Sequence, residues 1–282
     1  MGGRRFSKMS GSGNDFVFLD ARDGEAPDPL ETTAWIRAAC ARGTGIGADG
    51  VVFLGRPRTN QAAAEVRYYN SDGGRAALCG NATLCATRLA AELGLVTAAD
   101  FALDTDSGQL AVRMRGDRPE IDLGPVRDVR PDVPEIAAGP GERRIGFAVT
   151  GVPHLVLLED DVQTVDVGTR GAQLRSHAAL GEPGANVNFV SQDRAGGWHI
   201  RTFERGVEGE TLACGTGAVA TGILLAAWGL VDVSAPVELE TRSGLRLGVT
   251  PRPQPDGSWR PSLAGEGRVV FRGELAELPA TG

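Results

Sequence analysis

Two of the four cysteines sit in one recurring setting, and that setting suits acid–base chemistry. Cys79 opens "CGNATLCATRLAAELGLV" and Cys214 opens "CGTGAVATGILLAAWGLV". Each is followed by glycine and then by small and apolar residues that read as a buried helix. A helix N-terminus presents backbone N–H groups and the positive end of a dipole. A thiol placed there has its thiolate favoured, below the free value of about 8.5. Glycine next door lets a ligand approach the backbone, and the same N–H groups can hold a carboxylate. Each segment therefore offers a base beside an anion cradle. Two such thiols on opposite sides of one molecule would invert a carbon centre. One thiolate takes a proton from one face, the other thiol returns a proton to the opposite face, and N–H groups aimed at the carboxylate stabilise the carbanion. Core packing is the plain alternative for any cysteine. It suits Cys40, on an amphipathic helix, and Cys85, six residues into the Cys79 helix.

The two segments align without gaps. Gly80/Gly215, Leu89/Leu224, Ala91/Ala226, Gly94/Gly229, Leu95/Leu230 and Val96/Val231 coincide behind the cysteines. Upstream and in the same order, "NDFVFLD" parallels "PHLVLLE" and "GADGVVF" parallels "GANVNFV". The pattern predicts an old duplication. It also predicts two similar half-chains, residues 1–123 with 264–282 and residues 124–263, and an active site in the cleft that such halves enclose.

Composition narrows the chemistry. The 282 residues are 41% hydrophobic and 23% charged, ordinary for a globular protein. A net charge of −7 with no basic run argues against nucleic acid and anionic membranes as partners. The start, "MGGRRFSKMSGSGNDF", has two arginines and no apolar core after them, so a secretory leader is not expected. A cytoplasmic protein with free thiols is the expectation. Lys8 is the only lysine against 28 arginines. A pyridoxal phosphate enzyme needs a Schiff-base lysine, so this cofactor is not expected, and no other is called for. His154, His177 and His199 are scattered without ligand spacing, so no metal site is expected.

The elements that must position the thiols are legible in outline. "RFSKMSGSGNDFVFLD" reads as strand, glycine-rich turn, strand. Asp28-Pro29 reads as an N-cap with proline at the first helical position, opening "PLETTAWIRAACARG", which stops at Gly43. "VVFL", "AEVRYYN", "GANVNFV" and "WHIRTFERG" are strands. Gly124–Arg144, rich in Pro, Gly and charge, suits a connection between domains. "GIGADG" matches a dinucleotide-binding G-x-G-x-x-G, but it follows a helix and precedes a strand, the reverse of what that motif needs.

"KMSGSGNDFVFLD", "GIGADG", "YYNSDGGRAALCGN", "GVPH", "GANVNFV" and "ERGVEGETLACGTGAVA" resemble, in order, the motifs of the diaminopimelate epimerase family. They extend from Lys8 to Ala220. The resemblance implies an α/β (α+β) fold of two pseudo-symmetric domains, each a curved mixed sheet wrapped around a central helix. It implies a cofactor-independent amino-acid epimerase, an isomerase working through thiol and thiolate on a small amino-acid substrate. Position by position, Cys79 and Cys214 match the two acid/base residues. Gly80-Asn81 and Gly215-Thr216 match loops that hold the reacting carboxylate and ammonium. His154 and Glu204 match residues that help set the protonation of the thiols. Asn14, Asn70, Asn186 and Arg205 match substrate-binding positions, and Arg205 suits a planar carboxylate. A homodimer stays open.

The chain departs from the family where specificity is set. Ser10 and Ser12 replace His and Leu, Ala82-Thr83-Leu84 stands for Gly-(Ala/Val)-Arg, and Val152 stands where the family has Asn. That Asn helps hold the far amino-acid end of diaminopimelate, and valine offers no side-chain hydrogen bond. The expectation is a paralogue acting on another amino acid. Beside it stand the housekeeping LL-/meso-diaminopimelate epimerase of lysine and peptidoglycan biosynthesis and a catalytically idle amino-acid-binding homologue.

Overall fold

The computed structural model describes residues 3–24 and 27–275. They divide into two compact units. One runs through Ile121 and resumes at Ala264; the other is Asp122–Leu263.

In the first unit, Arg4–Gly11 and Asn14–Asp20 form an antiparallel pair, and Arg268–Leu275 adds to the outer edge of Arg4–Gly11. Helix α1 (Thr33–Cys40) then leads to Gly50–Gly55, which lies parallel to Asn14–Asp20. Glu65–Asn70 returns antiparallel. Helix α2 (Gly80–Glu92) follows, with Cys79 as its N-cap. Asp100–Thr105 comes back parallel to Glu65–Asn70 and pairs with Gly108–Arg115.

The second unit repeats this order. Glu142–Val149 and Pro153–Glu159 are antiparallel. Helix α3 (Val167–Arg175) precedes Asn186–Gln192, which lies parallel to Pro153–Glu159. Trp198–Glu204 returns antiparallel. Helix α4 (Gly215–Ala227) follows, with Cys214 as its N-cap, and Val237–Glu240 comes back parallel to Trp198–Glu204. Both Cys-Gly helices have 13 residues. Both end in one motif: Gly94 and Gly229 take positive φ, and Leu95 N–H and Leu230 N–H donate to Ala90 O and Leu225 O. The duplication read from the sequence is a duplication of topology.

Each sheet is covered on both faces, which explains the unbroken apolar runs of its parallel strands. Helix α2 is buried along most of its length, against Arg4–Gly11, Glu65–Asn70 and Gly108–Arg115. On the other face, Ile36 and Ala39 of α1 meet Val17, Leu19, Val51 and Phe53. Helix α4 is likewise enclosed by Glu142–Val149, Pro153–Glu159, Asn186–Gln192 and Arg246–Thr250. Leu174 of α3 joins Leu155, Leu157, Val187 and Phe189 on the opposite face. A helix apolar all round needs such an enclosure. Among the described residues no helix is long and apolar enough to cross a membrane.

Two sequence expectations differ from the structure. The first helix starts at Thr33, not at Asp28-Pro29. Asp28 closes a turn instead: its carboxylate accepts from Leu30 N–H at 3.0 Å and ion-pairs with Arg4. The Thr32 hydroxyl takes the capping role toward Trp35 N–H. Gly124–Arg144 is built into the second unit and is no loose connection. Val126 exchanges backbone bonds of 2.8 Å with Trp259, Val129–Arg130 pairs with Phe147 and Ala148, and Val133 and Ile136 are buried. Sparse apolar residues at the right spacing outweighed the Pro- and Gly-rich background.

A buried carboxyl in the second unit gives its stability a pH dependence. Glu159 lies opposite Glu142 in the antiparallel pair, and its Oε1 has no hydrogen-bond partner. Arg170 is committed to Glu142 at 2.6 and 2.8 Å. Burial, and then the charge of Glu142, push Glu159 up to about 7. The folded state thus keeps a proton that the unfolded chain has released above its ordinary value of 4.5. The resulting stabilisation is full below that value and is lost as pH rises through about 7. Glu159→Gln should flatten this slope and be more stable than the parent at about pH 8, by on the order of 2 kcal/mol. Denaturant melts across this range check it; identical slopes for the two proteins would remove the assignment.

Candidate active site

The first unit gathers its polar residues at the start of α2. Cys79 has extended backbone, φ −132° and ψ 116°, and its carbonyl accepts from Thr83 N–H at 2.9 Å. Its side chain is half-buried. Asn81, in the first turn, is 2% exposed. The orientation of its amide follows from a chain of forced choices. Asp49 only accepts, so Asn14 turns Nδ2 to it at 3.1 Å and offers Oδ1 to Asn81. Asn81 therefore donates through Nδ2 at 2.6 Å, and its own Oδ1 is left as a buried acceptor without a partner. Gly11 is required here, since a Cβ would lie 2.7 Å from Asn81 O and 3.0 Å from Cys85 Sγ.

Tyr68 is a member of this site that the sequence reading missed. Its hydroxyl donates to Asn70 Oδ1 at 2.9 Å and also bonds the Cys79 thiol. Burial, and then the neighbouring Cys79, push the Tyr68 phenol well above its ordinary range, so the hydroxyl keeps its proton. Gly50 makes room for it, because a Cβ there would lie 2.6 Å from the Tyr68 ring. Tyr68 opens the quoted motif "YYNSDGGRAALCGN", but in "EVRYYN" it reads as a strand residue without a role of its own.

The second unit matches this design with different residues. Cys214 has φ −131° and ψ 108°, close to those of Cys79. Its Sγ accepts from Gly217 N–H at 3.4 Å and lies 3.6 Å from Thr216 Oγ1. Thr216 O accepts from Thr150 Oγ1 at 2.9 Å. Gly217 is forced: a Cβ would collide with Asn188 Oδ1. His154 is fully buried and faces Asn186 in the parallel register. Burial, and then Arg205, hold His154 down to about 3, so its ring is neutral. Asn186 Oδ1 accepts from Arg205 N–H at 2.8 Å. The Arg205 guanidinium donates to Pro183 O at 2.9 Å, and Glu204 accepts from Thr211 Oγ1 at 2.5 Å. Asn188 and Thr202, absent from the sequence-derived set, lie behind His154.

Each unit thus brings together its share of the expected residues. Asn14, Asn70, Cys79, Gly80 and Asn81 lie around one helix start; His154, Asn186, Glu204 and Arg205 stand at the ends of neighbouring strands of the sheet that encloses α4, whose start carries Cys214, Gly215 and Thr216. The other two cysteines belong to the core. Cys40 is 5% exposed and burial pushes its thiol up to about 11. Cys85 is fully buried and is also driven well above its ordinary value. Neither forms a thiolate near neutrality.

The chain matches the family model "Diaminopimelate epimerase" over residues 6–129 and 146–252. It is 52% identical to the diaminopimelate epimerase of Gemmatimonas aurantiaca, over 97% of this chain and 99% of that one. It is 37% identical to that of Aquifex aeolicus, over 96% and 98%. Among solved structures, a PhzF-family phenazine biosynthesis protein of Bacillus anthracis superposes with a TM-score of 0.72 at 17% identity, covering 98% of this chain and 100% of that one. A hydroxyproline epimerase of Agrobacterium vitis gives 0.68 at 17%, covering 99% and 93%. These two share the fold. With two matched Cys-Gly helices, the ordered motifs and these relatives together, the chain belongs to the diaminopimelate epimerase family and is an isomerase of the amino-acid epimerase class.

Proposed function

We propose that this protein inverts the α-carbon of diaminopimelate, interconverting the LL and meso forms, with Cys79 and Cys214 as the two acid/base residues. The carrying observation is that both thiols N-cap buried helices with nearly equal backbone angles, in a chain 52% identical to a curated diaminopimelate epimerase. One cysteine, as thiolate, takes the α-proton and becomes a thiol. The electron pair left on the α-carbon spreads into the carboxylate, which first-turn N–H groups stabilise. The other cysteine, as thiol, gives its proton to the opposite face and becomes a thiolate. Protons balance, and the two residues have exchanged states.

The remaining side chains support this reading. The unpartnered Asn81 Oδ1 is a buried acceptor suited to the substrate ammonium. The protonated Tyr68 hydroxyl gives Cys79 a neutral hydrogen-bonding neighbour, so formation of the thiolate meets no like charge from it. Val152 supports a second reading, an epimerase of another amino acid. Its backbone O accepts from Thr150 N–H at 3.1 Å, and its side chain offers no donor for a distal carboxylate or ammonium. The extent of identity to the Gemmatimonas enzyme favours diaminopimelate.

Heavy water decides both points. Incubation with LL-diaminopimelate, and separately with a panel of L-amino acids, is followed by mass and by chiral chromatography. Two-base inversion puts solvent deuterium into the inverted product first and leaves the remaining substrate unlabelled at early times. Equal early labelling of substrate and product would mean a single base. Turnover of a panel member in preference to diaminopimelate would shift the substrate to that amino acid.

A further inference from the structure

His154 has one ring nitrogen with a partner and one without. Nδ1 lies 3.2 Å from Asn188 Nδ2, and Nε2 is a buried atom with no hydrogen-bond partner. Which nitrogen carries the proton depends on which way the Asn188 amide points, and three contacts settle that. Asn188 Nδ2 lies 3.0 Å from Leu155 O, a backbone carbonyl that only accepts. Reversing the amide would set two acceptors against each other in a site where Asn188 is fully buried. Oδ1 takes the hydroxyl of Thr202 at 3.0 Å. With Nδ2 fixed on the Leu155 side, its second N–H meets His154 Nδ1, which must accept. The proton of the neutral ring then sits on Nε2, and a proton on both nitrogens would set N–H against N–H.

We propose that Asn188 is a positioning residue that locks His154 as the neutral Nε2–H tautomer, so that His154 serves the reaction as a hydrogen-bond donor to an anion and not as a proton-accepting base. This rests on the proposed epimerase reading for its role, while the tautomer itself stands on the packing. Burial and the Arg205 charge act in the same direction by keeping the ring neutral. A buried N–H without a partner is destabilising, and an anionic acceptor arriving at Nε2 during the reaction offsets that cost. The acceptor is either a catalytic thiolate or the substrate carboxylate; the chemistry at Nε2 is the same.

The test is nitrogen NMR of the full-length protein without substrate. It has three histidines, so His177→Gln and His199→Gln variants assign the His154 signals. The parent protein should show His154 as Nε2–H at neutral pH, with no conversion to imidazolium on mild acidification. A proton on Nδ1, or a charged ring, would overturn the proposal whether or not any substrate has been found. Asn188→Asp turns the partner into an acceptor and should move the proton to Nδ1. In that variant kcat should fall about 30-fold with KM within about threefold, when the anion is a thiolate. The pH dependence of thiol alkylation in the free enzyme should then move upward too. When the anion is the substrate carboxylate, alkylation stays as in the parent and KM rises. Thr202→Val, which keeps the volume and leaves Leu155 O to hold the amide, should keep the proton on Nε2 and show a smaller loss. Full activity in Asn188→Asp with the proton shown on Nδ1 would end the role assigned to His154.

Discussion

Alanine at Cys79 or at Cys214 is expected to lower kcat for inversion by about 10³-fold or more, because each thiol is one of two proton-transfer groups with no substitute. The double variant should be little worse than either single one, since the two act as a unit. Stability should separate from activity. The Cys79 side chain makes no capping bond to its helix, so its loss leaves α2 intact. Cys214 Sγ accepts from Gly217 N–H, so its loss removes a weak cap worth about 1 kcal/mol or less. The controls run the other way. Cys85→Ala opens a small cavity under a fully buried side chain and should cost about 1 kcal/mol while keeping most of kcat. Cys40→Ala should behave similarly. Steady-state rates in both directions, with denaturant melts of all five variants, check the pattern. A Cys79 or Cys214 variant with more than a tenth of parental kcat would remove that thiol from the proton-transfer step.

The sequence announced these two thiols because their setting is local. A Cys-Gly pair, small residues in the first turn and an apolar body specify a buried helix with a thiol at its N-cap, and no distant contact is needed to see it. The strands were legible for a similar reason. "FVFL", "VVFL" and "LVLL" are apolar on both faces because helices cover both faces. What could not be read was whatever depends on a neighbour distant in sequence. Asp28-Pro29 looked like a helix start because the reading lacked Arg4, which takes the Asp28 carboxylate. Tyr68 looked like one more strand residue until Cys79 was beside it. Asn188 lay inside a quoted motif, yet its use is defined by Leu155, Thr202 and His154, three residues on two other strands. The same limit explains the Gly-rich segments. "GSG" reads as a turn and "GIGADG" as a misplaced dinucleotide pattern and part of the family resemblance, whereas Gly11 and Gly50 are fixed by what lies across from them, Asn81 with Cys85 and the Tyr68 ring.

Gly217→Ala sets local propensity against the site, and the magnitudes say which wins. Alanine in place of glycine inside a helix ordinarily gains up to about 1 kcal/mol, so sequence reasoning alone predicts a more stable protein. In the structure the new Cβ runs into Asn188 Oδ1 and comes within 3.2 Å of Cys214 Sγ. Asn188 cannot yield without giving up Leu155 O, Thr202 or His154. Overpacking of this kind costs about 1–3 kcal/mol, more than the propensity returns. The larger effect is on rate. The helix start that carries Cys214 and the amide that orients His154 are displaced together, and a misplacement near 1 Å costs about 100-fold. The expected result is a folded protein, equal to or below the parent in stability, with kcat down by about 10²–10³-fold. Asn188→Ala alone should lower the melting point by leaving Leu155 O, Thr202 and His154 unpaired. In that background Gly217→Ala has no clash and should cost no further stability, giving a coupling well above experimental error in a double-mutant cycle while the rate stays low. A Gly217→Ala protein more stable than its parent and with unchanged kcat would mean that Asn188 moves aside freely. The lock on His154, and with it the link between the thiol at one helix start and the imidazole on the next strand, would then have to be given up.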